Sequence, residues 1–231
     1  MSKIKDLLTY EDFFMKKIFS NKEHYWEVLQ ILPNFIQTIL SKKNATINGE
    51  VEDKNSVNNK NIFVGKDSFI ERGAYVKGPA IIGENVKIYH GAYIRDNVII
   101  GDNCIIGSCS EIKHSIILNG SSAPHYNFVG NSILGQNVNL GGGVHLSNFK
   151  NVPFGGKIKV KTIDNKTIST NLNYLGSIVG DNSKIGVNCV LNPGSVIGKN
   201  VLTYPNLTIR GYIENNSLVK NINQIEIKRL L

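Results

Sequence analysis

The fold is decided by the stretch Ala80–Ile106, which reads AIIGENVKIYHGAYIRDNVIIGDNCII. Within this stretch an aliphatic residue returns every six positions, at Ile82, Ile88, Ile94, Ile100 and Ile106. A period of six fits neither the 3.6-residue turn of an α-helix nor the two-residue alternation of a long strand. Each hexapeptide therefore predicts one short strand followed by one corner.

The same period extends beyond this stretch in both directions. The further aliphatic positions are Val64, Ile70, Val76, Ile112, Leu118, Val129, Leu134, Leu140, Leu146, Val179, Ile185, Leu191 and Ile197. Three hexapeptides close one triangular coil, and only the stacking of coils buries the aliphatic side chains. We therefore predict a mainly β protein whose residues 61–213 form a left-handed parallel β-helix, with Cys104 as a small core residue.

Three regions depart from the repeat. Residues 147–175 form an insertion rich in Lys, Asn and Thr, and a loop that leaves a regular coil often carries function. Residues 8–42 have a helical apolar pattern that Pro33 is expected to divide into two helices capping the open end of the coil. This pattern and a polar linker make residues 1–60 an N-terminal segment, and residues 214–231 are a basic tail.

The composition limits the possible classes of function. The net charge is +8, but the lysines are scattered and no arginine-rich run occurs, so we expect no nucleic-acid partner. A basic surface also suits small molecules that carry phosphate groups. No apolar run approaches a membrane span and no secretory signal is evident, so we expect a cytoplasmic protein without a membrane partner.

One segment of the repeat carries a more specific pattern. Residues 125–148 read HYNFVGNSILGQNVNLGGGVHLSN. This segment resembles the acetyltransferase domain of the glucosamine-1-phosphate acetyltransferase / UDP-N-acetylglucosamine pyrophosphorylase family. The resemblance runs without gaps from about Arg95 to Phe149, and a looser hexapeptide similarity follows from Val179. The pyrophosphorylase half has no counterpart in these residues, so we do not expect uridylyl transfer.

The resemblance implies a set of catalytic roles. His125 would be the general base that takes a proton from the amine of the sugar, a role suited to imidazole near neutral pH. Glu111 would orient this base, and a backbone N–H of the glycine run, most simply that of Gly142, would stabilise the oxyanion. No metal is expected for this acetyl transfer.

The resemblance also implies binding roles. Arg95 and Lys113 would hold the sugar 1-phosphate through a guanidinium fork and a point charge. Further residues are expected at the sugar or at its phosphate: Phe128, Asn139, Asn148, Lys157 and Lys159. Acetyl-CoA would lie along the C-terminal coils, near Ser177, Val187 and Pro205, at an interface between the subunits of a homotrimer.

Some departures from the family pattern and some alternatives remain open. Phe128 and Phe149 stand where the family usually has Tyr, and Asn131 stands for an Asp, which leaves the acceptor sugar undecided. Another amino-sugar phosphate, a nucleotide-linked amino sugar, or a non-catalytic scaffold are alternatives. A zinc-dependent carbonic anhydrase on the same fold would need three converging histidines. The candidates for such a site are His90, His114, His125 and His145.

Overall fold

The computed structural model describes residues 3–42, 46–57 and 61–221. These residues form a mainly β structure, a parallel β-helix of about nine turns, together with an N-terminal segment that contains two α-helices. The predicted fold class is therefore confirmed. None of the helices in the described ranges is long and apolar enough to cross a membrane.

Three parallel sheets form the sides of the coil, and we number them 1 to 3. Sheet 1 contains β2 Ile62–Val64, β5 Ala80–Ile82, β8 Val98–Ile100, β11 Ser115–Ile117, β14 Ile133–Leu134, β19 Ile178–Val179, β22 Val196–Ile197 and β25 Tyr212–Ile213. Sheet 2 contains β1 Glu50–Val51, β3 Phe69–Ile70, β6 Lys87–Ile88, β9 Ile105–Ser108, β12 Ser122–His125, β15 Asn139–Leu140, β20 Lys184–Ile185, β23 Leu202–Thr203 and β26 Leu218–Val219. Sheet 3 contains β4 Tyr75–Val76, β7 Tyr93–Ile94, β10 Glu111–Lys113, β13 Phe128–Gly130, β16 His145–Leu146, β21 Val190–Leu191 and β24 Thr208–Ile209.

The aliphatic ladder fills the inside of the coil as predicted, with one slip of register. Ile82 pairs with Ile100, 18 positions later, but Ile100 pairs with Ile117, only 17 positions later. Ile117 therefore takes the inner position that the hexapeptide count assigned to Leu118. Leu118 is also buried, but it belongs to a second apolar cluster outside the coil.

The second apolar cluster lies between the outer face of sheet 1 and the N-terminal segment. This segment contains α1 Ile4–Leu7, a 3-10 helix Lys16–Phe19 and α2 Tyr25–Lys42. Its apolar residues pack against Ile81, Ile99, Ile116 and Ile133, which are all fully buried. The N-terminal residues therefore cover one side of the coil, and the prediction that they cap its open end is wrong.

Pro33 lies inside the continuous helix α2, so the prediction of two helices separated at this residue is also wrong. Proline has no N–H, so the carbonyl of Leu29, four residues earlier, lacks its helical donor. His114 supplies a replacement, because its Nε2 lies 2.9 Å from the Leu29 oxygen and donates to it in the tautomer protonated there. A side chain of the β-helix thus supplies the hydrogen bond that the Leu29 carbonyl lacks because of Pro33.

Asp181 fastens the N-terminal segment to the coil. Its buried carboxylate accepts hydrogen bonds from the backbone N–H groups of Thr9, at 2.7 Å, and Gln136, at 2.9 Å. The ammonium of Lys199 lies 3.1 Å from the same carboxylate and also donates to the Thr9 hydroxyl. The buried carboxylate of Asp181 therefore has hydrogen-bond donors and a cation at the contact between the N-terminal segment and the coil.

The coil is longer at both ends than predicted. β1 pairs with β3 and Val57 bridges to Val76, so part of the predicted linker belongs to the first turn, where a 3-10 helix spans Lys54–Ser56. β26 pairs with β23 and continues the coil beyond residue 213. The rest of the predicted tail, residues 222–231, lies outside the described residues.

The insertion folds as an antiparallel hairpin of β17 Lys159–Lys161 and β18 Thr167–Ser169. Its apolar residues Ile158 and Val160 join the cluster on sheet 1. The coil resumes in register after it, because Leu134 pairs with Val179. The insertion is therefore an excursion from an otherwise continuous β-helix.

Candidate functional site

His125 stands at the corner where β12 of sheet 2 turns towards β13 of sheet 3, and its side chain is exposed. The glycine run lies one coil further along, because the N–H of Gly143 donates to the His125 carbonyl at 2.9 Å. A Cβ added to Gly142 would come within 3.5 Å of the His125 Cβ. The structure therefore brings the predicted base and the predicted oxyanion donor to the same corner.

The backbone N–H of Gly142 is available at this corner. The N–H of Gly141 donates to Ile185, and that of Gly143 donates to His125. In the described part of the chain, Gly142 has no acceptor for its own N–H. A free backbone donor beside an exposed imidazole is the arrangement that a developing oxyanion requires.

Asn127 holds this corner in place, and the sequence analysis did not identify it. Its buried side chain accepts from the backbone N–H of His125 at 3.0 Å and donates to the Gly141 carbonyl at 2.7 Å. The amide therefore links the turn that carries the base to the turn that carries the glycines. The sequence signal that could have identified Asn127 is its position two residues after His125, at a corner of the coil.

Two of the residues predicted to bind the cofactor continue the same corner. The N–H of Asn188 donates to the Gly142 carbonyl, and the N–H of Asn206 donates to the Val187 carbonyl. Val187 and Pro205 therefore follow His125 and Gly142 in successive coils. Ser177 does not join them, because its side chain is fully buried and its backbone N–H donates to Ser132.

Arg95 and Glu111 form an ion pair on sheet 3. The Nη1 of Arg95 lies 2.7 Å from the Glu111 carboxylate, and the hydrogen bond that it donates there raises the pKa of Arg95. The Nε of Arg95 is buried without an acceptor among the residues that the structure describes. Glu111 and His125 share no hydrogen bond in those same ranges, so the structure pairs Glu111 with the predicted phosphate ligand instead of the base.

Lys113 lies beside Arg95, because Ile94 and Ile112, which precede them, are paired in adjacent strands. The Lys113 ammonium is 5.9 Å from the centre of the Tyr174 ring. The Nδ2 of Asn148 donates to the Oδ1 of Asn131 at 2.7 Å in the next rungs of the coil. Two cations and two amides thus collect at the end of sheet 3 that leads into the insertion.

Aromatic residues lie beside this region in two places, on sheet 3 and in the insertion. Phe128 and His145 occupy paired positions in β13 and β16, with their rings stacked at a centroid distance of 6.5 Å. Phe149 contacts both Tyr174 and Phe154 in the insertion, each at 5.1 Å between ring centroids. His145 and Tyr174 were not predicted to belong to the site, because neither position belongs to the family motif.

The remaining predicted residues lie apart from this region. Asn139 is on sheet 2, in register with Ser122 and Lys184, and therefore belongs to a different side of the coil. Lys157 donates to the side chain of Asn173 within the insertion. Lys159 instead lines an open groove of about 290 Å³. This groove is also lined by Ser147, Phe149, Lys150, Asn192 and Arg210.

The four candidate metal ligands do not converge. His90 contacts the carbonyl of Arg72 through its Nδ1 at 2.8 Å, and His114 donates to Leu29. In the described ranges, no group of three or more His, Cys, Asp or Glu side chains is placed to hold a metal ion.

Comparisons with known proteins identify one family and several relatives with similar sequences. Residues 76–169, which include most of the site, match the GMPPB C-terminal domain family. The bifunctional protein GlmU of Methanococcus maripaludis strain C7 is 37% identical over 206 residues, which cover 89% of this chain and 48% of that protein. A bifunctional sugar-1-phosphate nucleotidylyltransferase/acetyltransferase of Sulfurisphaera tokodaii is 29% identical, covering 80% of this chain and 44% of that protein.

This chain spans about half the length of these curated relatives. Among solved structures, the acetyltransferase domain of PglB from Neisseria gonorrhoeae FA1090, in complex with acetyl coenzyme A, is similar with a TM-score of 0.32. Its sequence identity is 12%, and the match covers 82% of this chain and 64% of that chain.

Proposed function

Because this chain belongs to the GlmU-type acetyltransferase β-helix domains, we propose that it transfers the acetyl group of acetyl-CoA to the amine of an amino-sugar 1-phosphate. Glucosamine-1-phosphate is the simplest acceptor of this class and the first one to test. The observation that carries the proposal is the corner at which the exposed imidazole of His125 meets the free N–H of Gly142.

The chemistry at this corner is a direct attack. The amine attacks the thioester carbonyl, and the imidazole of His125 takes the proton that the nitrogen loses. The carbonyl oxygen becomes an oxyanion, which the N–H of Gly142 stabilises. The tetrahedral intermediate then collapses, the carbon–sulfur bond breaks, and CoA leaves as the thiolate.

The adjacent side of the coil suits the rest of the acceptor. The ring of Phe128 offers an apolar surface for the sugar, and Arg95 and Lys113 offer two cations for its phosphate. Asn148 is hydrogen-bonded to Asn131 beside them and has acceptor capacity left for a sugar hydroxyl.

Acetyl-CoA fits the continuation of the corner beyond the glycines. Val187 is 47% exposed, and Pro205 follows in the next coil, so an extended chain can lie along the backbone there. We further expect a cytoplasmic homotrimer in which a neighbouring subunit adds residues to each site. Asn139, on sheet 2 of this subunit, is then a candidate for the site of a neighbour.

The test is the release of free thiol from acetyl-CoA in the presence of single acceptors. Glucosamine-1-phosphate, galactosamine-1-phosphate and glucosamine-6-phosphate are compared at equal concentration with the intact chain. We expect turnover with a 1-phosphate and at least tenfold less with the 6-phosphate. Failure of all three acceptors, with a protein that is folded and binds acetyl-CoA, would refute a simple amino-sugar phosphate as the acceptor and favour a nucleotide-linked acceptor or the scaffold.

A further inference from the structure

Two tyrosines extend the outer face of sheet 3 beyond the proposed acceptor site. Tyr75 and Tyr93 are paired in β4 and β7, and Tyr93 is paired in turn with Glu111 of β10. Their ring centroids are 5.9 Å apart with an interplanar angle of 44°, and Tyr75 is 43% exposed. Tyr93 precedes Arg95 in the same rung, and Tyr75 lies one rung further from the coils of Gly142 and Val187, so the proposed reaction leaves both rings without a role.

A column of three cations runs beside these rings. Val76, Ile94 and Ile112 are paired in successive strands, so the residues that follow them, Lys77, Arg95 and Lys113, also stack in successive rungs. Adjacent rungs of a sheet are about 4.8 Å apart. A single phosphate at Arg95 and Lys113 leaves Lys77 one rung away, where its ammonium lies 3.9 Å from the carboxylate of Asp96.

The guanidinium of Arg95 belongs to the column of cations and also lies close to one of the two tyrosine rings. Its central carbon lies 5.9 Å from the centre of the Tyr93 ring. Its buried Nε has no acceptor in the described structure, and leaving a buried donor without an acceptor is unfavourable. An anion that draws this side chain away from Glu111 can satisfy that donor.

We propose that the phosphate of the acceptor continues into a nucleoside, so that the preferred substrate is a nucleoside diphosphate amino sugar. The amino sugar lies over Phe128 with its amine at His125, the diphosphate lies along Arg95 and Lys77, and the base stacks on Tyr75 and Tyr93. A planar base fits this surface because it presents an aromatic face and is joined to two negatively charged groups. The inference rests on the proposed acetyl transfer and specifies its substrate class.

The experiment compares acceptors and variants with the intact chain. Acetyl transfer is measured with glucosamine-1-phosphate, UDP-glucosamine and dTDP-glucosamine for the wild type, Tyr75→Ala and Tyr75→Phe. We expect kcat/KM to be at least tenfold higher for one nucleotide-linked acceptor than for glucosamine-1-phosphate. Because Tyr75→Ala removes an aromatic face on which the base would stack, it should lower kcat/KM for that acceptor about tenfold. Tyr75→Phe keeps the aromatic face and should retain most of the activity.

The control is the smaller acceptor, whose kcat/KM should not change in Tyr75→Ala. Equal use of all acceptors, or an equal loss for small and large acceptors in Tyr75→Ala, would overturn the nucleotide site while acetyl transfer stands. If no acceptor is acetylated, the proposed function fails, and calorimetric titration with UDP and dTDP decides the inference separately. Binding that Tyr75→Ala weakens about tenfold then supports the site, and the absence of binding refutes it.

Discussion

The outer faces of sheets 1 and 3 differ although the inner faces of both sheets are built in the same way. On sheet 1 the outward side chains of the central strands, among them Ile99 and Ile116, are aliphatic and fully buried under the N-terminal segment. On sheet 3 the corresponding side chains include Tyr93, Glu111 and Phe128, all partly exposed. The inner ladder thus determines the fold, whereas the outer positions determine whether a side of the coil is covered or binds ligands.

The sharpest test of the ligand-binding side is the replacement of His125 by Ala. General base catalysis contributes about 10²–10⁴-fold, so we expect kcat to fall by that factor while the unfolding midpoint stays unchanged. His90→Ala is the matched control, because His90 is an exposed histidine at the same corner two coils earlier. Wild-type turnover in His125→Ala, measured by thiol release, would remove the imidazole from the mechanism.

A substitution on the covered side should lower stability and leave activity unchanged, which is the opposite of the result expected for His125→Ala. Ile116→Ala leaves a cavity under the N-terminal segment and should lower the free energy of unfolding by about 2–5 kcal/mol, with kcat/KM unchanged. Tyr75→Ala on sheet 3 should lower it by about 1 kcal/mol or less, because the side chain is largely exposed. Urea denaturation of both variants measures the contrast, and equal destabilisation would mean that the two sides are not distinct.

The attachment of the N-terminal segment can be weakened at one carboxylate. Asp181→Ala removes the acceptor of two backbone N–H groups and the partner of Lys199, so we expect a loss of about 2–3 kcal/mol. Hydrogen exchange should accelerate most in residues 3–42. A uniform acceleration through the β-helix would contradict the view that the segment is a separately opening layer.

The contact between His114 and helix α2 should depend on pH. Burial lowers the pKa of His114 below its ordinary value of 6.5, so the unfolded chain binds this proton more readily than the folded one. The stabilising contribution is therefore complete above about pH 6.5 and is lost as the pH falls towards the folded-state pKa, by about 1.4 kcal/mol for each unit of depression. His114→Gln keeps an N–H donor without a titrating ring, so its stability should vary less between pH 7 and pH 5. An identical pH profile for both proteins would refute this role.

The smallest expected effect distinguishes two roles of Glu111 on the ligand-binding side. If the carboxylate competes with phosphate for Arg95, Glu111→Gln should lower KM for the phosphorylated acceptor, by up to about fivefold because an exposed pair contributes up to about 1 kcal/mol. The value of kcat should then stay near that of the wild type. A tenfold fall in kcat with an unchanged KM would instead support the orienting role that the family resemblance implied.

Most of the β-helix could be predicted because its inside admits only aliphatic or small side chains at a fixed period. The slip at Leu118 could not be predicted, because Ile117 is equally aliphatic and the coil from Ile100 to Ile117 is a residue shorter than the coil before it. The pairing of Glu111 could not be derived either. From the spacing along the chain alone, Glu111 could lie near several partners. Its pairing with Arg95 depends on which side of the strand each of the two residues faces.

A signal for the covered side was present in the sequence. The strands of sheet 1 contain adjacent aliphatic pairs, such as Ile81–Ile82 and Ile99–Ile100. Neighbouring residues of a strand face opposite sides, so such pairs predict a sheet that is buried on both faces. The amphipathic pattern of the N-terminal residues indicates that they are buried but does not identify their partner.

The bond between His114 and Leu29 has a consequence for the order of assembly. Helix α2 lacks one hydrogen bond of its own at Pro33, and the missing donor comes from a corner about eighty residues later in the chain. The helix is therefore complete only on a coil that has already formed. We therefore expect the β-helix to act as the template, so that the segment that comes first in the sequence is the last to reach its final structure.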